Sequence, residues 1–312
     1  MKKIGVIGSI NMDMAVTTER IPKRGETLRG ENLQYIPGGK GANQAVAAAR
    51  LGAQVEFFGC IGEDAFGERL LKNLQMQSVG TEYIKVVPQI SSGLAIVTVG
   101  ENDNTIIVVA GANDYVDIAY IDSVKKHILE CDLIMLQHEI PQETNEYVIH
   151  LCNENGIDVI LNPAPARPVR KEILEEVTYL TPNEHEAVII FEKVCELERT
   201  MRKYPEKLII TQGSKGVSTY LKNGKIFHVP ARKSKAADTT GAGDTLNGAF
   251  AAAIIKDYST EKALAYANIA AGLSTEKIGA QEGMPTDKEV APGNGMTQSY
   301  SSEEQTLGAV AH

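Results

Sequence analysis

A glycine-rich segment in the last third of the chain reads Ala-Asp-Thr-Thr-Gly-Ala-Gly-Asp-Thr over residues 237–245. Apolar residues at helical spacing follow over 246–254, so the segment is predicted to open a helix. The free amides and positive dipole at such a helix start form an anion site suited to phosphate. Asp244 would be repelled by that anion, which favours a role as proton acceptor beside a transferring phosphoryl group. A helix cap is the alternative, but Asp238 and Thr240 just upstream favour the site.

A second glycine-rich segment reads Gly-Gly-Lys-Gly-Ala-Asn-Gln over residues 38–44 and precedes a helix predicted to end near Gly52. Its glycines let the backbone approach a ligand closely, and Lys40 and Asn43 add hydrogen-bond donors at the helix start. The spacing differs from that of a Walker A loop. A plain strand-to-helix turn is an equally good interpretation of this segment alone.

A third segment, residues 8–13, reads Gly-Ser-Ile-Asn-Met-Asp and follows an apolar strand pattern. Asn11 and Asp13 are two positions apart, so they face the same side of an extended chain. Open α/β sheets bind ligands at this end of their strands, and two polar side chains on one face suit adjacent hydroxyl groups. Turn formation is the alternative. The missing G-x-G-x-x-G spacing argues against a nicotinamide dehydrogenase.

Polar residues also follow three later strand patterns. Within Thr-Pro-Asn-Glu-His-Glu at 181–186, Asn183 and Glu186 either cap a helix as Asn-x-x-Glu or hold a hydrated Mg²⁺ through their oxygens. Thr-Gln-Gly-Ser-Lys-Gly occupies 211–216, and Glu139 follows the apolar run 133–136. Glu139 is thus a candidate acceptor for a substrate hydroxyl at the same edge of the sheet.

Short apolar runs alternate with helix-like segments along most of the chain. The predicted strands are 3–7, 54–58, 133–136, 159–161, 177–180 and 208–211. The predicted helices are 41–50, 67–76, 118–129, 143–155 and 184–192. This alternation is typical of βαβ units. We therefore predict an α/β fold with three α/β/α layers around a mainly parallel sheet.

Two stretches, 14–36 and 93–110, break this rhythm because they are rich in strand formers and contain no long helix pattern. The runs 94–99 and 105–109 are joined by a short polar connection, which predicts a hairpin. We expect both stretches to form a small β-sheet lid on one domain of residues 1–290. The polar composition at 291–312 predicts a mobile tail.

Composition excludes several classes of function. The chain has 312 residues and a net charge of −9, which argues against nonspecific binding to nucleic acid. Four cysteines without a C-x-x-C pair indicate neither a zinc site nor a disulfide scaffold, and they fit a reducing cytoplasm. Since no run of 18 apolar residues occurs, no membrane span is expected.

Taken in order, these segments resemble the ribokinase-like (PfkB) family of carbohydrate kinases. The resemblance runs from residue 3 to about 285, and it adds Asn-Pro-Ala-Pro-Ala-Arg at 162–167 to the four segments already described. It implies that Asp244 takes the proton from a sugar hydroxyl while Gly241, Ala242 and Gly243 lend amides to the phosphoryl group.

The resemblance also implies a role for each remaining candidate. The sugar contacts would be Asn11, Asp13, Gly39, Lys40, Asn43 and Glu139. The ATP contacts would be Asn183, Thr211, Gly213, Ser214, Gly216 and Asn268, with Glu186 linked to Mg²⁺ and phosphate. A K⁺ loop would comprise Asp238, Thr240, Ser274, Lys277, Gly279 and Gly283.

The implied activity is ATP-dependent phosphorylation of D-ribose at the 5-hydroxyl, giving ribose 5-phosphate and ADP in a homodimer joined through the lid. A kinase for another pentose, a ketose or a nucleoside remains an alternative, as does a non-catalytic sugar or nucleotide sensor. The connection between Glu186 and Thr211 is shorter than the family leads one to expect, and the tail after Val290 matches nothing in its pattern.

Overall fold

The computed structural model describes residues 2–101, 103–191 and 197–291. Of the tail predicted at 291–312, residues 292–312 lie outside the described residues. The strands are β1 Lys3–Ile7, β2 Asn11–Thr17, β3 Asn32–Gly38, β4 Gln54–Gly62, β5 Gly80–Val87, β6 Gly93–Gly100, β7 Asp103–Val109, β8 Leu133–Gln137, β9 Asp158–Asn162, β10 Tyr179–Leu180, β11 Ile210–Thr211, β12 Val217–Tyr220 and β13 Ile226–Val229. The helices are α1 Lys40–Arg50, α2 Ala65–Met76, α3 Ile118–Ile128, α4 Gln142–Glu154, α5 Lys171–Glu176, α6 Glu184–Phe191, α7 Leu197–Lys203, α8 Ala242–Ile254, α9 Thr260–Ser274 and α10 Asp287–Val290.

The central sheet has six parallel strands in the order β10-β9-β8-β1-β4-β5. Successive side chains of a strand point to opposite faces, so Ile4 and Val6 of β1 enter one core while Ile7 enters the other. Helices α1, α2, α8 and α9 cover the first face, and α3 to α7 cover the second. The predicted three-layer arrangement is confirmed.

Side-chain caps start several of these helices. Asp64 accepts a hydrogen bond from the Gly67 amide at the start of α2, and Asp117 accepts one from the Tyr120 amide at the start of α3. These bonds satisfy amides that have no partner inside the helix. Among the residues described, no helix is long and apolar enough to cross a membrane.

A smaller antiparallel sheet, β11-β12-β13, extends the central one beyond β10. Two parallel bridges, Leu180 with Leu208 and Asn183 with Thr211, connect the two sheets. The connection brings residues 211–216 to the same edge as Asn183, so two of the predicted polar segments become neighbours.

The remaining sheet, which we call the lid sheet, has the order β3-β2-β6-β7. Strands β6 and β7 form the predicted hairpin, and β2 pairs antiparallel with β3 but parallel with β6. Because paired residues share a face, Asn11 and Asp13 lie on one side of this sheet, whereas Ile96 and Ile107 lie on the other. One face of the lid sheet is thus directed to the polar residues at the sheet edge.

Candidate active site

Asp244 lies in the first turn of α8 and is only 8% exposed. The preceding Gly241 has a φ of 77°, a conformation that glycine adopts without strain, and a Cβ there would meet Ala280 at 2.8 Å. Asn43 donates to Oδ2 of Asp244 at 3.0 Å, and Gln44 donates to Oδ1 at 3.0 Å. Both carboxylate oxygens are therefore held by carboxamides of helix α1.

Burial raises the pKa of Asp244, while the positive charge of Lys40 and the hydrogen bonds from Asn43 and Gln44 act against that rise. A carboxyl group with a raised pKa is a stronger base than a free aspartate, so it is suited to accept a proton from a substrate hydroxyl. The position at a helix start also places it beside amides that have no acceptor within the helix.

Close packing of α1 on α8 brings the carboxamides to Asp244. A Cβ on Gly248, one turn after Asp244, would lie 2.6 Å from the main-chain oxygen of Gln44 and 2.6 Å from Cβ of Ala47. Because Gly248 has no side chain, helices α1 and α8 can pack this closely. This interhelical contact positions α1 and α8 residues that are far apart in the chain.

The glycines at 39 and 41 allow the start of α1 to pack against the loop after β1. Gly39 has a φ of 88°, and a Cβ there would lie 2.8 Å from the Asn11 amide nitrogen. A Cβ on Gly41 would lie 2.7 Å from the Ser9 amide nitrogen. These backbone contacts favour glycine on steric grounds and bring the second and third predicted segments together.

Glu139 joins the same region from the end of β8. Its Oε2 accepts from the Ser9 hydroxyl at 2.6 Å and from the Lys40 amide at 2.9 Å. Burial acts to lower the pKa of Lys40, but four nearby carboxylates outweigh that effect and raise it. Those carboxylates are Asp244, Glu139, Glu186 and Asp13. The Lys40 ammonium group thus stays charged at the centre of an acidic cluster.

Asp13 packs over Gly38, where a Cβ would lie 2.4 Å from its Oδ2. Burial, together with the negative charges of Glu139 and Asp244, raises the pKa of Asp13 to about 7. Asn11 is 3% exposed, and its Oδ1 accepts from Asn113 Nδ2 at 2.7 Å. The two residues therefore differ: Asn11 is braced by a neighbour, whereas Asp13 is a carboxyl close to half-protonation at neutral pH.

A cavity of about 270 Å³ lies between the lid sheet and the carboxyl ends of β8 and β9. Its lining includes Asn11, Val108, Asn113, Glu139 and Arg167. Val108 belongs to β7 of the lid sheet, so the lid contributes an apolar wall opposite polar side chains. This combination suits a small polyhydroxylated ligand with one apolar face.

Asn183 and Glu186 form a reciprocal cap at the start of α6. The Asn183 amide donates to Oε2 of Glu186 at 2.8 Å, and the Glu186 amide donates to Oδ1 of Asn183 at 2.8 Å. The helix-cap alternative is thus present in the structure. The cap uses Oε2 of Glu186, and burial raises the pKa of this carboxyl.

The residues expected to hold ATP lie around the small sheet and α9. Thr211 pairs with Asn183 through a parallel β-bridge. Residues Gly213–Lys215, which include Ser214, form one 3₁₀ turn. A Cβ on Gly216 would lie 2.0 Å from the Val229 main-chain oxygen. Asn268 is 7% exposed and donates to the Pro230 main-chain oxygen at 2.7 Å. These residues lie at the same sheet edge as Asn183.

Asp238 braces the loop before α8. Its Oδ1 accepts from the Thr240 amide at 2.8 Å and its Oδ2 accepts from the Gly279 amide at 2.9 Å. Burial acts to raise the pKa of Asp238, but these bonds outweigh it and lower the pKa. The Lys277 side chain points to Glu289 at 4.0 Å, so it could contribute to a cation loop only through its main chain.

Main-chain oxygens converge near Gly283 in the same loop. A Cβ on Gly283 would lie 2.2 Å from the Ser274 oxygen and 3.4 Å from the Gly279 oxygen. The Ser274 hydroxyl itself donates to Ala271. A side chain at this position would clash with the Ser274 oxygen, so glycine lets the loop bring two carbonyl oxygens close together. The Gly279 oxygen also accepts from the Gly283 amide at 3.1 Å. Carbonyl oxygens are ligands suited to a hard cation.

Several residues that contact the predicted site residues are not themselves predicted from the sequence. Gln281 donates to Oδ1 of Asn43 at 3.0 Å, and Gln137 donates to Oε1 of Gln44 at 2.8 Å. Asn113 contacts Asn11, as described above. Gln44 lies inside the second glycine-rich segment, but nothing in its residue type distinguishes it from an exposed helical glutamine. Only contacts between distant segments identify these residues.

Known proteins share the sequence pattern and the fold of this chain. The sequence matches the description "pfkB family carbohydrate kinase" over residues 1–287. A ribokinase from Bacillus subtilis is 48% identical over 290 residues, covering 93% of this chain and 98% of the relative. Two solved structures extend the likeness to the fold.

The crystal structure of a ribokinase from Thermotoga maritima has a TM-score of 0.84 and 34% identity, covering 93% of this chain and 98% of that one. The structure of Arabidopsis thaliana ribokinase complexed with ribose and ATP has a TM-score of 0.84 and 32% identity, with the same coverage. The second of these holds both a pentose and a nucleotide.

Proposed function

Because this chain belongs to the pfkB family of carbohydrate kinases, we propose that it transfers the γ-phosphoryl group of ATP to the 5-hydroxyl of D-ribose. The products are ribose 5-phosphate and ADP. The observation that carries the proposal is Asp244: a buried carboxyl at the start of α8, held by two carboxamides beside a glycine-rich turn.

In the proposed reaction, the 5-hydroxyl oxygen forms a bond to the γ-phosphorus. The bond from that phosphorus to the oxygen shared with the β-phosphate breaks, and ADP leaves with the electron pair. The hydroxyl proton passes to Asp244. Amides at the start of α8, including that of Gly243, would stabilise the charge on the transferring group together with the positive end of the helix dipole.

The sugar is proposed to bind in the cavity under the lid sheet. Asn11, Glu139 and Val108 line this cavity, whereas Asp13 and Asn43 lie outside its lining. The four polar residues are proposed to bind the sugar's hydroxyls, while Val108 covers its apolar face. Asn113 orients Asn11 through the 2.7 Å bond between their amides. Closure of the lid sheet over the sugar would exclude water, which protects ATP from hydrolysis.

ATP is proposed to lie along the edge formed by Asn183, Thr211, Gly213, Ser214, Gly216 and Asn268. Because Asn268 is anchored to Pro230 and Gly216 packs on Val229, this edge is formed by two sequence-distant segments. The γ-phosphate would then extend toward the start of α8.

Mg²⁺ is proposed to bind with ATP near Glu186, whose second carboxylate oxygen is not used by the α6 cap. In the described part of the chain no three His, Cys, Asp or Glu side chains cluster as a metal site, so phosphate oxygens and water would complete the coordination. Bound there, Mg²⁺ would neutralise charge on the phosphates.

K⁺ is proposed to bind in the loop around Gly283, through the main-chain oxygens of Ser274 and Gly279 and a carboxylate oxygen of Asp238. Thr240 and Lys277 would take part through the backbone of this loop. The two oxygens that crowd the Gly283 position support the proposal. A cation there would offset the charge of Asp238 beside the phosphates.

A homodimer is proposed through the outer face of the lid sheet, opposite Asn11 and Asp13. Four apolar side chains of this face are exposed: Leu33 by 49%, Ile96 by 40%, Ile107 by 64% and Val109 by 43%. Exposed apolar residues on an edge hairpin are typical of an interface. A second copy of this chain would offer the same apolar face, as twofold interfaces require.

A cytoplasmic location is also proposed. Cys60, Cys131 and Cys152 are buried free thiols, a state maintained in a reducing compartment, and the reaction consumes ATP.

The substrate proposal is tested by ADP release in a coupled assay with D-ribose, 2-deoxyribose, fructose and adenosine as acceptors. We expect ribose to give the highest kcat/KM, and ³¹P NMR to show phosphate on the 5-oxygen. Comparable rates on adenosine and ribose would favour a nucleoside kinase. The absence of turnover on every acceptor would favour a sensor.

A further inference from the structure

A chain of buried carboxamides ends on the Asp244 carboxylate. Gln137 Nε2 donates to Gln44 Oε1 at 2.8 Å, and Gln44 Nε2 donates to Asp244 Oδ1 at 3.0 Å. The same Gln44 nitrogen donates to Asn162 Oδ1 at 3.1 Å. Gln44 and Gln137 are both 0% exposed. None of these glutamines is part of the sugar, ATP or cation sites proposed above.

The direction of this chain follows from the chemistry of its last member. An ionised carboxylate only accepts hydrogen bonds, so Gln44 must present its NH₂ group to Asp244. Its oxygen then points the other way, where Gln137 donates to it. Since both ends of the Gln44 carboxamide are engaged, the group is not free to rotate. The hydrogen bond that holds the Gln44 carboxamide thus comes from Gln137, the last residue of β8.

Helix packing adds a second constraint on Gln44. The Gly248 position on α8 is in contact with the Gln44 main-chain oxygen, so the backbone of Gln44 is fixed against the helix that carries Asp244. The side chain is fixed by Gln137 and Asn162, as described above. Both ends of this residue are thus constrained relative to the reacting carboxyl.

We propose that Gln44, locked by Gln137, is a positioning residue that holds Asp244 in its ionised form and in one orientation for phosphoryl transfer. The proposal rests on the proposed function. Asn43 is also bonded to Asp244, but we assigned it to the sugar as well. Gln44 is 0% exposed and its side chain is bonded to Asp244, Asn162 and Gln137, so its loss removes no proposed contact with the sugar or ATP.

The charges that face Asp244 come from four elements. Lys40 of α1 favours its ionised form, whereas Glu139 after β8, Asp13 of β2 and Glu186 of α6 disfavour it. Burial disfavours ionisation as well. A carboxylate in such surroundings depends on its hydrogen-bond donors, so removal of the Gln44 donor should shift its protonation to higher pH.

The test is the Gln44→Met substitution, which keeps length and burial but removes the donor. The single-turnover rate of ribose phosphorylation is followed by rapid quench from pH 5.5 to 9 at saturating ribose and ATP. We expect the acidic limb of the profile to move up by about one pH unit, with a loss of about tenfold below the limb and recovery toward the wild-type rate above it. Ribose and ATP affinities from calorimetry should change by less than about threefold.

Thr219→Val is the matched control. Thr219 is also 0% exposed, and its hydroxyl donates to the main-chain oxygens of Leu208 at 2.9 Å and Tyr220 at 3.5 Å, but it lies in the small sheet and neither partner is a proposed site residue. It should lower the melting temperature and leave the pH profile in place. Gln137→Met removes the hydrogen bond that orients Gln44 but keeps the Gln44 donor to Asp244. It should shift the acidic limb of the pH profile in the same direction as Gln44→Met, by a smaller amount.

A rate loss in Gln44→Met that is equal at every pH, or no loss at all, would overturn the proposal. If Gln44→Met does not fold, Gln137→Met decides, and an unshifted profile in that variant overturns it. The wild-type rate on ribose is measured in the same assay. An inactive wild type would overturn the proposed function and, with it, the proposed role of Gln44. An active wild type combined with an unshifted pH profile in the variant would overturn only the role of Gln44.

Discussion

Asn43 and Asp244 are in direct contact although they are 201 positions apart: Nδ2 of Asn43 lies 3.0 Å from Oδ2 of Asp244. The contact joins the residue proposed to bind the sugar to the residue proposed to take its proton. Gln281 in turn donates to Oδ1 of Asn43. The loop proposed to bind K⁺ is thus two hydrogen bonds away from the proposed base.

Asp244→Asn should abolish most of the activity while retaining the fold. Asparagine keeps the shape of the side chain but cannot accept the proton, and a positioned general base typically contributes about 10²–10⁴-fold. We expect kcat to fall by this factor with ATP affinity retained, measured by ADP release and by calorimetry. Near-normal turnover in the folded variant would exclude Asp244 as the base.

Asp13 should make the ligand-free protein less stable as pH rises toward neutrality. Its pKa is raised from 3.8 to about 7 in the folded state. The folded form therefore holds a proton between about pH 4 and 7 that the unfolded form has released, and this contribution to stability is lost as pH rises through that window. The slope for one proton is at most about 1.4 kcal/mol per pH unit.

Asp13→Asn should make that decline shallower, because asparagine does not titrate. The measurement is urea unfolding of wild type and variant at half-unit steps from pH 5 to 7.5. Other carboxyls titrate in both proteins, so the difference between the two curves isolates Asp13. Parallel curves would show that Asp13 ionises at its ordinary pKa.

Gly39→Ala should be far more damaging than Gly52→Ala. Both glycines have a positive φ, 88° and 83°, so alanine is strained at each. Only at position 39 does the new methyl group meet the backbone, 2.8 Å from the Asn11 nitrogen, whereas nothing lies within 4 Å at position 52. We expect an additional loss of about 1–3 kcal/mol for Gly39→Ala.

The Gly39→Ala variant should also bind ribose more weakly, because Gly39 contacts the start of β2, where Asn11 lies. Thermal unfolding and the ribose KM are the two measurements. Equal effects of the two substitutions on both quantities would show that the predicted clash is relieved by movement of the loop.

K⁺ should activate the enzyme. Activity is measured against KCl, with tetramethylammonium chloride holding ionic strength constant. We expect clear activation by K⁺, weaker activation by Na⁺, and loss of the response in Asp238→Ala, because the carboxylate would no longer contribute to the cation site. A flat response in the wild type would leave Asp238 as a loop brace through Thr240 and Gly279.

Ile107→Lys should disrupt the proposed dimer. Ile107 is 64% exposed on the outer face of the lid sheet, and a lysine there would place a charge within an apolar interface. Sedimentation velocity should show a shift from dimer to monomer. Met76→Lys is the control, since Met76 is 67% exposed at the last residue of α2, whereas Phe66 and Arg69, which contact Tyr35 of the lid sheet, lie near the start of that helix. A wild type that sediments as a monomer at all concentrations would contradict the dimer.

Local patterns in the sequence predict five of the six strands of the parallel sheet and six of its covering helices, whereas β5, α5 and α9 are not among the predicted elements. Strand 3–7 is predicted at the bounds that the structure shows, and the β6–β7 hairpin is confirmed. These elements have alternating or continuous apolar residues, and such periodicity depends only on neighbours in the chain. The glycine-rich segments are recognisable for the same reason.

Strand β5 and the pair β12–β13 are outside the predicted elements. Strand β5 contains Thr, Glu and Lys because it is the exposed edge of the sheet. Strand β12 is buried throughout although it contains Ser218 and Thr219, whose hydroxyls find partners in Gln212 and Leu208. Polar residues in a strand are acceptable where such partners exist, and no local pattern reveals them.

The sequence by itself determined which residues have chemistry suited to a kinase: the Gly-Ala-Gly-Asp segment, the polar ends of strands and the order in which they occur. Only the tertiary structure decided which of them touch. The packing of α1 on α8 across Gly248 brings Asn43 and Gln44 to Asp244, and β8 supplies Gln137 behind them. Such contacts depend on the distance between packed elements, which residue spacing within one element does not encode.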